Sequence, residues 1–365
     1  MITCLVPRAL QINKPVLLEG SPGIGKTSLV EALSARLHKK VTRINLSDQT
    51  DIADLFGADL PVEGGAAGHF QWRNGPFLDA MERGHWILLD ELNLASQSIL
   101  EGLNAVFDHR NEVYIPELNR TFPLHADTKI FACQNPISEG GDRKGLPKSF
   151  LNRFSKIFMS GLCEEDYVII CRSLHPTLDK DLISKMVRFS STLEHEIIVK
   201  RSWGQAGAPW EFNLRDLLRW CQALGADQAR GELSPGKWTN ILYRAKMRTE
   251  ADRARVDRVF SAIFAPEHGV VAVTGQVHLT PDTLAIGDFS VARRRGGGTA
   301  AEWGGCLVSP RGQTRTMELV AGCLARAWPV LLTGPSQVKN EEYVSSGKYS
   351  HFRRAKLRWC TASPL

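Results

Sequence analysis

The sequence predicts an α/β fold: a parallel sheet with flanking helices and an inserted β-hairpin, followed by a helical subdomain. Three observations carry this expectation. Over the first 160 residues, apolar strand-like runs alternate with helical patterns. A glycine-rich turn separates the first of those strands from the first helix. After about residue 161 the apolar spacing becomes helical.

Pro15-Val16-Leu17-Leu18 reads as the first strand, and Lys26 to Leu37 as a helix with Leu29, Val30, Leu33 and Leu37 on one side. Val41 to Leu46 is a second strand. Trp86 to Leu89 is a third, followed by a helix over Ser98 to Phe107, and Lys129 to Cys133 is a fourth. Between the second and third strands, Gly64-Gly65-Ala66-Ala67-Gly68 forms a turn and His69-Phe70-Gln71-Trp72 alternates, which places the hairpin there. Farther on, Leu182, Met186, Val187 and Phe189, then Leu214, Leu217, Leu218 and Leu224, keep helical spacing. Asn213 is a suitable N-cap for the last of these helices. Residues 231–320 read as less regular, with Gly296-Gly297-Gly298 as a loop or linker.

Composition narrows the class. Of 365 residues, 43% are apolar and 23% charged, close to a soluble globular average. Apolar runs such as Trp86-Ile87-Leu88-Leu89 fall far short of the roughly 20 residues of a membrane span. Met1-Ile2-Thr3-Cys4-Leu5 carries no basic n-region, so a soluble intracellular protein with no membrane partner is expected. The formal charge of +6 is local: from Lys339 onward six Lys or Arg face two Glu, and Arg293-Arg294-Arg295 supplies the remaining excess. A tail and a triplet do not support direct nucleic-acid binding. The eight cysteines form no CxxC pair and read as reduced, mostly buried thiols.

Gly20-Ser21-Pro22-Gly23-Ile24-Gly25-Lys26-Thr27 matches the phosphate-binding loop G-x-x-x-x-G-K-[ST], with Ser28 completing the segment. Its glycines let backbone N–H groups turn inward around phosphates, Lys26 reaches the β/γ oxygens, and the Thr27 hydroxyl holds Mg²⁺. ATP with Mg²⁺ is the expected ligand. Trp86 to Leu89 ends in Asp90-Glu91, which offers Asp90 to the metal and Glu91 to orient or deprotonate water. Strands also end in merely solvated carboxylates. Asn135 follows the apolar Ile130-Phe131-Ala132-Cys133 and either polarises the water or γ-phosphate or serves as a turn residue before Pro136. Arg153 and Arg215 either neutralise transition-state charge or lie on the surface as ordinary arginines.

One repeat spans most of the chain: Pro329-Val330-Leu331-Leu332-Thr333-Gly334 restates Pro15 to Gly20. Where the first copy continues to Gly25-Lys26-Thr27, the second has Lys339, Asn340 and Glu341. The expected division is therefore an α/β nucleotide-binding subdomain over 1–160, a helical lid over 161–232 and a connector over 233–328. Residues 329–365 would start a second phosphate-loop module that breaks off into a basic tail, as in a fragment, splice form or misjoined gene model.

The order of phosphate loop, Asp-Glu strand end, Asn after the next strand, Asn152-Arg153-Phe154 and Asn213-Leu214-Arg215 resembles the AAA+ ATPases. Phe70-Gln71-Trp72 and Gly75-Pro76-Phe77-Leu78 ahead of Asp90 resemble the insertion-bearing branch with the MoxR and dynein-related ATPases. Arg43 to Asp51, Asp90 to Gln97, Glu101 to Ala105 and Lys144 to Phe150 are similar to the midasin family of dynein-related AAA ATPases. That resemblance implies an AAA+ sheet, a sensor-1 role for Asn135, an arginine finger at Arg153 acting on a neighbouring module, and a sensor-2 role for Arg215. It also implies neighbouring AAA+ modules in a ring, ribosome large-subunit precursor particles and assembly factors as partners, and location in the nucleolus and nucleoplasm. An ATP-hydrolysing module is the leading expectation. A non-hydrolysing nucleotide-binding brace and a truncated inactive product are its rivals.

Overall fold

The computed structural model describes residues 8–332 apart from 13, 62–69, 109, 137–144, 265–267, 270–275, 281 and 293–310. The expected turn at Gly64 to Gly68, the Arg293 triplet, the Gly296 loop, Lys144 and the region from Thr333 onward lie outside the described residues. The chain divides into two compact units, at Cys163 and Glu164.

In the first unit, β1 (Val16–Glu19), β2 (Val41–Asn45), β5 (Trp86–Asp90), β8 (Ile130–Gln134) and β9 (Ser155–Phe158) form a parallel sheet in the order β2-β5-β8-β1-β9. All residues of β5 and β8 are buried, as expected of parallel strands covered on both faces. Alternate side chains feed two cores. Leu17, Ile87, Leu89, Ile130 and Ala132 enter one, while Val16, Leu18, Leu88, Phe131 and Cys133 enter the other.

The second of these cores takes Val30 and, less deeply, Leu29 and Leu33 from α1 (Lys26–Arg36). The first is covered by α2 (Ile52–Phe56), α3 (Pro76–Glu82) and α4 (Gln97–Phe107). The Asp51 capping box starts α2 and the Ser96 hydroxyl caps α4. The expected inserted hairpin is present as β3 (Gly57–Pro61) and β4 (Phe70–Asn74), paired antiparallel between β2 and β5. A second hairpin, β6 (Glu112–Ile115) with β7 (Arg120–Pro123), and the edge strand β9 were not anticipated. All three are four-residue strands with only one or two buried positions each, too short for a clear apolar period. The short helix α5 (Lys148–Leu151) precedes β9.

The second unit opens with α6 (Glu164–Leu174), α7 (Lys180–Glu194) and α8 (Leu214–Gln228). As expected, the Asn213 side chain caps α8, accepting from the N–H groups of Arg215 (2.9 Å) and Asp216 (3.3 Å). The expectation of irregular structure from 231 is corrected by α9 (Pro235–Leu242) and α10 (Glu250–Phe264). Val256, Phe260 and Phe264, spaced four apart, line the buried side of α10, and the flanking Arg253 and Arg255 with the intervening Asp257 and Arg258 dilute that period in the sequence. After them come an antiparallel sheet, β10 (Val277–Leu279), β11 (Thr283–Ile286) and β12 (Phe289–Ala292), and α11 (Arg311–Ala325).

One core runs through this unit. Phe189 lies edge-on to Trp220, Tyr243, Phe260 and Phe264, with ring centroids 5.2–6.3 Å away. Asp227 is buried but paired: it accepts from the Trp238 indole at 2.6 Å and from Arg326. The repeated Pro329 to Leu332 segment is not a strand here, and Leu331 is 61% exposed where Leu17 and Leu18 of the first copy are fully buried.

Candidate functional site

The carboxyl ends of β1, β5 and β8 carry the polar residues that the sequence singled out. Gly20 leaves β1 where a Cβ would lie 2.7 Å from the Met159 carbonyl and closer still to the Ile24 side chain, so only glycine fits. The loop then turns through Gly23 (φ 80°) and Gly25 (φ 88°), both in the left-handed region. Ile24 is buried in the core beside α1 and anchors the loop, while Ser21 is exposed and Pro22 half-buried. No side chain caps α1 and no acidic residue stands in its first turn, so its N-terminal dipole faces the loop unopposed. Ser28 is exposed in that turn.

Lys26 is buried, and its ammonium donates to the carbonyls of Gly20 (2.6 Å) and Ser21 (2.9 Å) and to Asn135 Oδ1 (2.6 Å). Asn135 turns its amide the other way and donates to Glu91 Oε1 at 2.9 Å. One buried carboxamide thus joins the loop lysine to the glutamate. Glu91 Oε2 is buried without a hydrogen-bond partner among the described residues, and the Glu91 backbone is left-handed at φ 57°. That conformation is uncommon for a residue with a side chain and costs about 1 kcal/mol or more.

Thr27 donates from its hydroxyl to Asp90 Oδ2 at 3.2 Å. A hydroxyl and a carboxylate oxygen are the hard donors that Mg²⁺ takes, completed in nucleotide sites by phosphate oxygens and water. Among the described residues no group of three or more His, Cys, Asp or Glu is placed to hold a metal ion by itself, so a cation here would depend on the ligand it accompanies.

Two residues without an assigned role complete the cluster. Arg43 on β2 donates to Asp90 Oδ2 at 2.5 Å. Asn93 donates from Nδ2 to the Asn135 carbonyl at 2.9 Å and fixes the backbone beyond β8. Arg43 had a signal: a lone charge in the strand that pairs with β5. Arg43 aligns with Leu88 and Asn45 with Asp90, which makes Arg43 and Asp90 diagonal neighbours on one face. Burial pushes the Cys133 thiol, beneath this cluster, up to about 12, and the Asp90 charge adds to the shift, so Cys133 stays an inert thiol.

Lys26, Thr27, Asp90, Glu91 and Asn135 therefore meet. Arg153 lies elsewhere in the same unit, held at the end of α4 by the Asn104 carbonyl (3.3 Å) and the Asp108 carboxylate (3.2 Å). Arg215 is exposed in the first turn of α8, in the second unit.

Residues 15–154 match the model of the AAA domain of the dynein-related subfamily, and residues 166–266 that of the midasin AAA lid domain. The chain is 41% identical over 350 residues to midasin of Dictyostelium discoideum and 38% identical over 306 residues to midasin of Giardia intestinalis. These matches take in 91% and 80% of this chain but 6% of either relative. Uncharacterized protein YojN of Bacillus subtilis is 29% identical over 213 residues, 58% of this chain and 68% of that protein. Among the described residues no helix is long and apolar enough to cross a membrane.

Proposed function

The chain belongs to the dynein-related AAA proteins, with a lid of the midasin kind, and on that premise we propose that it binds ATP with Mg²⁺ and hydrolyses it as one module of a midasin-like remodelling ATPase. The observation that carries this reading is the Lys26–Asn135–Glu91 chain beside the Thr27–Asp90 pair. Lys26 exchanges its carbonyl partners for phosphate oxygens, which makes stronger, charge-assisted bonds. Thr27 and Asp90 would hold Mg²⁺, which neutralises phosphate charge when bound. Glu91 accepts the proton of the attacking water, and Asn135 fixes that carboxylate while reading the phosphate through Lys26. Arg153 is assigned to a neighbouring module's site and Arg215 a sensor-2 role, both from the family resemblance.

In this proposal the module works in a ring of such modules on ribosome large-subunit precursors in the nucleus, releasing assembly factors. A second reading, nucleotide binding without turnover in the isolated chain, is favoured by one observation: Arg153 is engaged within its own unit.

The test is titration of ATP·Mg²⁺ against the wild-type chain and Lys26→Ala. The variant should bind about tenfold more weakly or worse, because one charge-assisted phosphate contact is removed. Equal affinities would end the assignment of this loop.

A further inference from the structure

Arg43 donates to the same Asp90 oxygen as the Thr27 hydroxyl, the pair expected to hold the metal. Its guanidinium lies 2.5 Å from Asp90 Oδ2, and the Thr27 hydroxyl lies 3.2 Å from the same oxygen. Asp90 is buried, so its charge needs a partner, and Arg43 supplies one from the neighbouring strand. A cation held between Thr27 and Asp90 has to approach Oδ2, the oxygen already within reach of the threonine. Mg²⁺ demands oxygen ligands in a near-octahedral arrangement, and a guanidinium has no lone pair to offer it. A carboxylate oxygen has lone pairs for both partners, but two positive charges at one oxygen repel, so Arg43 and Mg²⁺ compete for Asp90. The Arg43 side chain is 53% exposed, so it can swing into solvent when displaced.

Resting on the nucleotide reading above, we propose that Arg43 is the resident counter-ion of Asp90, that Mg²⁺ competes with it for that carboxylate, and that it raises the Mg²⁺ concentration at which nucleotide binds tightly. The arginine keeps the carboxylate compensated in the metal-free site and makes metal entry a competition. It is a positioning residue, since it acts through Asp90.

The experiment uses the full chain and MgCl₂ as the probe, with ATP binding followed as Mg²⁺ is raised from an EDTA-buffered zero. In Arg43→Gln the half-saturating Mg²⁺ concentration should fall about three- to fivefold, the range that a partly exposed ion pair supports. Arg43→Lys, which keeps the charge, should stay close to wild type. Thermal unfolding separates this role from a purely structural one: Arg43→Gln should melt below wild type without metal and recover with ATP·Mg²⁺. An unchanged or higher half-saturating concentration in a folded Arg43→Gln overturns the proposal. If Arg43→Gln does not fold, Arg43→Lys decides: a half-saturating concentration far from wild type counts against the proposal. A wild-type chain that binds no ATP at any Mg²⁺ concentration instead sinks the nucleotide reading on which it rests.

Discussion

At the carboxyl ends of β1, β5 and β8 the first unit buries Lys26, Asp90, Asn93, Gln134 and Asn135. At comparable depth the second unit places Phe189, Trp220, Tyr243, Phe260 and Phe264. The rings of the aromatic cluster gain through area removed from water and edge-to-face geometry, although the buried Tyr243 hydroxyl among them has no hydrogen-bond partner among the described residues. The polar cluster gains only where partners match, and here some do not: among the described residues Glu91 Oε2, Asn93 Oδ1 and Gln134 Oε1 are buried without a hydrogen bond. Unpaired buried oxygens cost stability. Their concentration around one sheet edge marks where the molecule maintains an arrangement that packing alone would not favour.

The strongest test of the contrast is to remove the centre of the aromatic region. Phe189→Ala should destabilise the second unit by about 3–5 kcal/mol in chemical denaturation, as for other buried Phe truncations. A loss near 1 kcal/mol would mean that the ring cluster is not the unit's main support.

The matching test at the polar edge separates stability from chemistry. Glu91→Gln retains shape and removes the base, so ATP should still bind while any turnover falls about a hundredfold or more. Turnover at the wild-type rate would remove Glu91 from the role of base.

The smallest effect concerns Glu19, one residue before the loop, which accepts from Gln134 (2.6 Å) and Lys156 (2.7 Å). Burial is the largest single influence and pushes its pKa up, but the bonds from Lys156 and Gln134 outweigh it, so the carboxyl titrates below its ordinary 4.5. With the folded value below the unfolded one, its stabilisation is complete above about 4.5 and fades as the pH falls through the folded value. Lys156 is half exposed, so the effect should be under about 1 kcal/mol. Urea midpoints of wild type and Glu19→Gln should differ at pH 7 and converge in acid. A gap that is constant with pH would assign Glu19 a packing role only.

What could be read in advance follows from how local each signal is. The loop from Gly20 to Ser28 is contiguous, and its glycines answer to backbone constraints, so residue type alone exposes it. Asp90-Glu91 and Asn135 stand directly after buried apolar strands and could be found by the same means. Arg43 and Asn93 could not be given roles, because their partners lie 47 and 42 residues away and depend on strand order. In the second unit the charges on either side of Val256 hid a core helix. At β9 a four-residue edge strand offered too little pattern.

The left-handed backbone at Glu91 has a consequence for what the fold could have been. A glycine there would adopt φ 57° at no steric cost and would bury no unpaired carboxylate oxygen. The same glycine would take the acceptor away from the buried Asn135 amide and add freedom to the unfolded chain, so the strain at position 91 is relieved only by loosening the link to Lys26. At position 91 the backbone's preference and the side chain's bonding therefore pull in opposite directions, and the glutamate stands on the side of the bonding.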